Sequence, residues 1–214
     1  HFAIARNDLL RALGHVQSVV EKRGTIPILA NVRIDVNDGQ IELTATDMEL
    51  AVVDRAVADV TATGSTTVAA HMLYDIVRKI PDDADIELIE NAADQKIAIR
   101  AGSSRFSLST LAVEDFPAIT EGDLPHSFIL TREECRALIE KTRFAMSTEE
   151  TRYYLNGVYL HAAESEGVQV LRAVATDGHR LSRVEVALPA GAAGMPGVII
   201  PRKAIAELCK LLEE

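Results

Sequence analysis

The sequence has no tryptophan, and aromatic residues fill only 4% of its 214 positions. Any core built from it must be aliphatic. There are two cysteines, Cys135 and Cys209. They do not have the C-x-x-C spacing of a structural zinc site, so no metal is expected. Each falls in a helix-like pattern and reads as a small buried hydrophobe in a reducing compartment. No apolar run approaches the ~18 residues that a membrane span needs, so no membrane partner is expected. Catalytic signatures are missing as well: no Walker loop, no G-x-G-x-x-G, no H-E-x-x-H and no G-x-S-x-G. Basic residues are the minority, 22 Lys and Arg against 32 Asp and Glu, for a net charge of −10. That balance ordinarily argues against a nucleic-acid binder.

The charges are unevenly placed. Four helix-like segments, 6–23, 70–80, 131–144 and 201–212, hold 13 of the basic residues and 7 of the acidic ones, a net of +6. The rest of the chain carries −16. Such a split suits a molecule with one basic and one acidic surface.

The chain also repeats itself. Ile28-Leu29-Ala30-Asn31-Val32 returns as Tyr154-Leu155-Asn156-Gly157-Val158. Ile41 to Leu50, with Thr46-Asp47, returns as Leu171 to Leu181, with Thr176-Asp177-Gly178. Val68 to Ile80 returns as Ile199 to Leu211. A repeat this long is a duplicated domain rather than a solenoid unit of about 20–50 residues. The expected domains are 1–120 and 126–214, joined by a linker from Phe116-Pro117 to Pro125. Three strand-like runs follow Ile80 in the first copy, Ile86 to Glu90, Lys96 to Arg100 and Arg105 to Leu111. Three residues follow Leu211 in the second. The second domain is therefore read as incomplete at its C-terminal end.

Within each copy, helical periodicity opens the domain and alternation follows. Leu9, Leu13, Val16 and Val20 form one apolar face, with Arg11, His15, Ser18 and Lys22 opposite. Asn7 or Asp8 is the expected cap. Asn31 to Val36 and Gln40 to Ala45 flank an Asn37-Asp38-Gly39 hairpin turn. Met48 to Val57 and Thr66 to Ala69 read as further strands. In the second copy Thr131 and Glu134 form a capping box, and Cys135, Leu138, Thr142 and Met146 face the core. Strands are expected at 153–162, 167–175 and 181–188, and Pro201 at the first turn of the last helix. The class is α+β: two helices per domain on hairpin-linked, mostly antiparallel sheet.

Asp177 and His179 are the best acid–base candidates. Asp-Gly between strands is more simply a tight turn, and Asp47 stands at the matching place in the first copy. No catalytic residue is assigned. His179, Arg180 and Leu181 follow that turn, where a scaffold holds side chains near the surface; the alternative is that Leu181 enters the core. Arg152-Tyr153-Tyr154 is the one aromatic cluster. Basic and aromatic neighbours suit phosphates and bases, while strand alternation would bury one tyrosine.

At these residues the sequence resembles a known family, the beta subunits of bacterial DNA polymerase III, which are processivity sliding clamps. The matching motifs are Thr25-Ile26-Pro27-Ile28-Leu29, Arg105 to Leu111, Arg152 to Gly157, Ala175 to Leu181 and Pro201-Arg202-Lys203. The resemblance implies a ring of two subunits with three similar domains each, helices lining the hole and sheets forming the rim. A third domain is absent from this sequence. It implies a protein that does no chemistry and needs no cofactor, working in the cytoplasm at the nucleoid. Its partners would be duplex DNA and, through short hydrophobic peptides, the replicative polymerase subunit, the clamp loader and repair polymerases.

Residue by residue, the resemblance assigns DNA contact to Arg23, Tyr153, Tyr154, Arg202 and Lys203. It assigns a partner-peptide pocket to Leu155, Thr176, Gly178, His179, Arg180 and Leu181, and a subunit interface to Arg105, Phe106 and Leu108. Phe106 and Leu108 are expected to be exposed here. The first domain departs from the family where Ala69-Ala70-His71-Met72 replaces Pro-x-Arg-Lys. Glu149 stands where a DNA-touching Gln is common. Two other readings compete: a small hydrolase using Asp177 and His179, and a duplicated peptide-binding scaffold without DNA.

Overall fold

Alternating burial builds the first sheet. β2 (Asn31–Asn37) and β3 (Gln40–Thr46) are joined by a two-residue turn, with Asn37 opposite Gln40 and Gly39 at φ 76°. β4 (Ala51–Val57) pairs with β3, and β6 (Gly64–Ala69) with β2, giving the antiparallel order β4-β3-β2-β6. The computed structural model describes residues 1–20, 24–118 and 124–213. The chain divides into two units, His1–Thr120 and Glu121–Glu214.

A second sheet completes unit 1. β1 (Phe2–Ala5) sits between β5 (Asp59–Val60) and β7 (Asp85–Asn91). β8 (Lys96–Ala101) and β9 (Ser104–Ser109) extend it to the order β5-β1-β7-β8-β9. Helices α1 (Arg6–Gln17) and α2 (Ala70–Lys79) pack on each other. Leu9, Leu13 and Val16 of α1 and Leu73 and Val77 of α2 are fully buried in one aliphatic cluster with Ile34, Leu43, Ile86 and Ile99. Phe2 is the one aromatic ring wholly inside that cluster.

Unit 2 repeats the helix pair and one sheet. Thr131 caps α3 (Arg132–Glu140): its Oγ1 accepts from Glu134 N at 3.2 Å, and Glu134 Oε2 accepts from Thr131 N at 2.8 Å. β10 (Gly157–Ser165), β11 (Val168–Thr176), β12 (Leu181–Ala187) and β13 (Val198–Pro201) form the order β12-β11-β10-β13, and α4 (Arg202–Glu213) follows at once. A Cβ on Gly157 would lie 2.4 Å from Ile200 O, so only glycine lets β13 close on β10. Leu138, Ile139, Val158, Leu171 and Ile205 form the core. The fold is α+β, with helices packed on antiparallel sheets.

Several local expectations are corrected. α1 has no side-chain cap, because β1 runs straight into it and Arg6 N donates to Ala84 O at 3.0 Å instead. β1, β5 and β13 are too short to show periodicity. Pro201 ends β13 rather than entering α4. Residues 150–155 are a 3-10 segment where a strand from Tyr153 was expected. The basic bias also weakens. α1 to α4 hold nine Lys and Arg and seven Asp and Glu, a net of +2. Lys141 and Arg143 fall past the end of α3, and Lys22 and Arg23 lie outside the described residues. No described helix is long and apolar enough to cross a membrane.

Candidate partner-binding and DNA-facing sites

The β11–β12 turn is built by its own side chains. Thr176 Oγ1 donates to Arg180 O at 2.7 Å and accepts from Gly178 N at 3.1 Å. Asp177 Oδ1 accepts from the backbone N–H of His179 and of Arg180, each at 3.0 Å, and Oδ2 accepts from Arg180 Nε at 2.9 Å. The β3–β4 turn makes the same bonds. Thr46 Oγ1 donates to Leu50 O at 2.9 Å, and Met48 N donates to Thr46 Oγ1 at 3.0 Å. Asp47 Oδ1 accepts from Glu49 N at 3.0 Å and Leu50 N at 2.8 Å. Gly178 has φ 90°; Met48, its counterpart, has φ 80° and carries a side chain there at a steric cost.

This geometry gives Asp177 a turn-building role. The backbone amide of Arg180, then that of His179, holds the Asp177 carboxyl down at about 2. So acidic a group is a poor proton acceptor near neutral pH. Its partner in residue 179 is the amide, and the matching Asp47 makes the same turn bonds with no histidine beside it.

The turn presents an apolar surface. Leu181 is 64% exposed, so it does not enter the core. Phe144, just past α3, is 56% exposed, and the Arg180 guanidinium sits 5.6 Å from its ring centre. Arg152 Nη1 donates to Asp177 O at 3.5 Å, which ties the 150–155 segment and half-buried Leu155 to the turn. Ser182 Oγ donates to Lys141 O. Thr176, Gly178, His179, Arg180 and Leu181 thus lie on one turn, and Leu155 lies on the segment that Arg152 joins to it. Phe144 was missed by sequence reasoning. Its only signal was an aromatic residue just after a helix, next to Arg143.

Tyr153 and Tyr154 are both exposed, at 79% and 56%. Their rings meet edge to face, 5.6 Å apart and at 83°. The 3-10 conformation turns both outward, where a strand would have buried one. Arg202 is committed within the protein: Nε donates to Asn156 Oδ1 at 2.9 Å, and Nη2 to Met146 O at 3.3 Å and to Ser147 O. It anchors the start of α4 to the segment carrying the tyrosines. Lys203 beside it is half-buried. Glu149 pairs with Arg152 Nε at 3.0 Å. Arg23 lies outside the described residues. At the start of α2, where a basic pair is missing, His71 Nε2 donates to Val20 O at 3.1 Å.

β9 lies at the edge of its sheet, paired with β8 alone among the named strands. Arg105 is exposed and Phe106 is 39% exposed. Leu108 is only 7% exposed, contrary to expectation, because it joins the core cluster beside its cross-strand partner Ile97.

Comparison with known proteins gives these surfaces a context. The family described as DNA polymerase III beta subunit, N-terminal domain, matches residues 1–120, and the central domain of the same subunit matches 129–214. The chain is 50% identical over 210 residues to the beta sliding clamp of Caulobacter vibrioides, covering 98% of this chain and 56% of that protein. It is 40% identical over 215 residues to that of Escherichia coli K12, at 99% and 56% coverage. Among solved structures it resembles Caulobacter crescentus pol III beta, with a TM-score of 0.95 at 49% identity, covering 99% of this chain and 57% of that one. It also resembles a sliding clamp from Bartonella birtlesii bound to griselimycin, with a TM-score of 0.94 at 45% identity, covering 99% and 56%. The chain thus spans just over half the length of these relatives. Two consecutive domain matches and this level of identity place it in the DNA polymerase III beta subunit family, the beta sliding clamps.

Proposed function

We propose that this chain supplies the first two domains of a ring that encircles duplex DNA and tethers the replicative polymerase to it. The observation that carries the reading is the apolar surface around the β11–β12 turn. Leu181 and Phe144 are solvent-exposed there, on a turn held rigid by Thr176 and Asp177. A rigid, exposed apolar patch rimmed by polar groups suits a short hydrophobic peptide. Leu155, Thr176, Gly178, His179, Arg180 and Leu181 form this wall of the pocket. The occupants would be peptides of the polymerase, the clamp loader and repair polymerases. The likeness to a clamp bound to griselimycin supports a ligand groove in the family.

DNA contact falls to Tyr153, Tyr154, Lys203 and Arg23, with Arg202 acting by holding the tyrosine segment. Contacts of this kind go to phosphate and sugar and carry no sequence information. Weak, salt-screened contacts suffice where a closed ring prevents escape. The edge of β9, with Arg105 and Phe106 outside and Leu108 supporting it from within, serves as the subunit seam of a homodimer. The clamp itself does no chemistry. It works in the cytoplasm at the nucleoid.

The test uses a protein of the relatives' full length that carries this sequence. A labelled hydrophobic peptide from its polymerase is titrated onto it by fluorescence anisotropy. Leu181→Ala is expected to weaken binding at least about 10-fold, as for a buried interface anchor. The melting temperature should not move, since Leu181 is 64% exposed. Unchanged affinity would remove the turn from the binding site.

A further inference from the structure

The two cysteines occupy the seam between α3 and α4. These helices pack on each other. Arg132 at the start of α3 donates to Leu212 O near the end of α4, which sets those two ends side by side. Cys135 lies one turn into α3 and Cys209 one turn before the end of α4. Both thiols are free, half-buried and packed against the same core cluster. Burial pushes the Cys135 thiol up, and the Cys209 sulfur is near enough to push it further. Arg143 Nη1 lies 3.5 Å from Cys209 Sγ. Packed helices have axes about 8–10 Å apart. The two thiols thus share one helix seam, and a disulfide would bring their Cβ atoms to about 3.5–4.5 Å.

We infer that Cys135 and Cys209 are a thiol-exchange site, which a small-molecule disulfide converts to an intramolecular cross-link between α3 and α4. In the first step the Cys209 sulfur, as thiolate, attacks one sulfur of the small disulfide. A mixed disulfide forms on Cys209 and one small thiolate leaves. Arg143 Nη1 donates to that sulfur. In the second step Cys135 gives its proton to solvent and attacks Cys209 Sγ. The Cys135–Cys209 bond forms and the second small thiolate leaves. Two protein thiols are oxidised and one disulfide is reduced to two thiols. In a reducing compartment such a bond is transient and responsive rather than structural.

The test incubates the reduced 214-residue chain with oxidised glutathione and reads intact mass and disulfide-linked peptides. The wild type is expected to lose two hydrogens and yield one cross-linked peptide pair containing Cys135 and Cys209. Cys135→Ser is expected to keep one glutathione on Cys209, since nothing displaces it. The oxidised wild type should melt roughly 5–10 °C higher, because the bond closes a long loop. Separate glutathione adducts on both cysteines, no loss of thiols, or a bond between two chains would each overturn the proposal. If the serine variant does not fold, thiol counts and linked peptides from the wild type alone decide between these outcomes.

Discussion

In unit 1, α2 buries Ala70, Leu73 and Val77, and Ile80 just after it is 5% exposed. In unit 2, α4 buries Ile205 alone, and Leu211, the repeat partner of Ile80, is 52% exposed. The sequences match across this segment; within these 214 residues the surroundings differ. Unit 1 has a second sheet, β5-β1-β7-β8-β9, whose Phe2, Ile4, Ile86 and Leu88 share the core cluster with Val77 and Ile80. The described residues of unit 2 form one sheet. Duplication therefore copies what is local, the turn bonds and the helices. The energy stored in each copy depends on what packs against it.

The sharpest way to break this comparison is to cut the same side chain in both units. Ile80→Ala should destabilise unit 1 by about 2–5 kcal/mol, through lost burial and a residual cavity. In the 214-residue chain, Leu211→Ala should cost no more than about 0.5 kcal/mol, as for a surface change. Urea unfolding of each variant measures both. Equal losses would show that burial does not separate the units.

Caps provide a second contrast. Thr131→Ala removes the Oγ1 half of a capping box, leaving Glu134 Oε2 on the residue-131 amide, and should cost about 1 kcal/mol. Asn7→Ala should cost far less, because α1 begins with no side-chain cap. Thermal melts of the two variants decide it.

The twin turns give a smaller effect. Gly178→Ala forces a side chain into φ 90° and towards Arg152 Nη1, 3.4 Å from the new Cβ. It should lose about 1 kcal/mol. Met48→Gly relieves the matching strain and should be neutral or slightly stabilising. A loss on Met48→Gly would mean that the exposed methionine contributes more than its backbone costs.

The contrast with the smallest effect is in acid. Folding lowers the Asp177 pKa from 3.8 to about 2. Between those values the unfolded chain binds more protons, so stability from this carboxylate is complete above the upper value and is lost as pH falls through the lower one. The His179 and Arg180 amide signals should keep their folded positions at about pH 3 and shift only near pH 2. Movement centred near the ordinary carboxylate range would contradict the turn bonds.

Periodicity made much of this legible in the sequence. Leu9, Leu13 and Val16 are buried as their spacing requires, and the Thr131–Glu134 box forms as written. Short or context-made elements were not legible. β1 has four residues, and its place is fixed by β7, some eighty positions away. Residues 150–155 contain tyrosines that favour strand locally, yet they form a 3-10 segment whose end is tied to Arg202. The turn at 176–181 was visible through its Thr-Asp-Gly pattern and its echo at 46–48. Its exposed partner Phe144 was not, because it belongs to the site only through the guanidinium of Arg180. Leu108 was placed by resemblance on an outer surface, while its strand phase with Ile97 puts it inside.

The central claim is topological, and one retention assay tests it most directly. A full-length protein carrying this sequence is loaded with its clamp loader and ATP onto closed circular duplex DNA, and the bound protein is counted after gel filtration. The ring account predicts retention on the intact circle and release once a single cut makes the DNA linear. Equal retention on circular and linear DNA would mean that binding depends on contacts rather than encirclement, and would contradict the account.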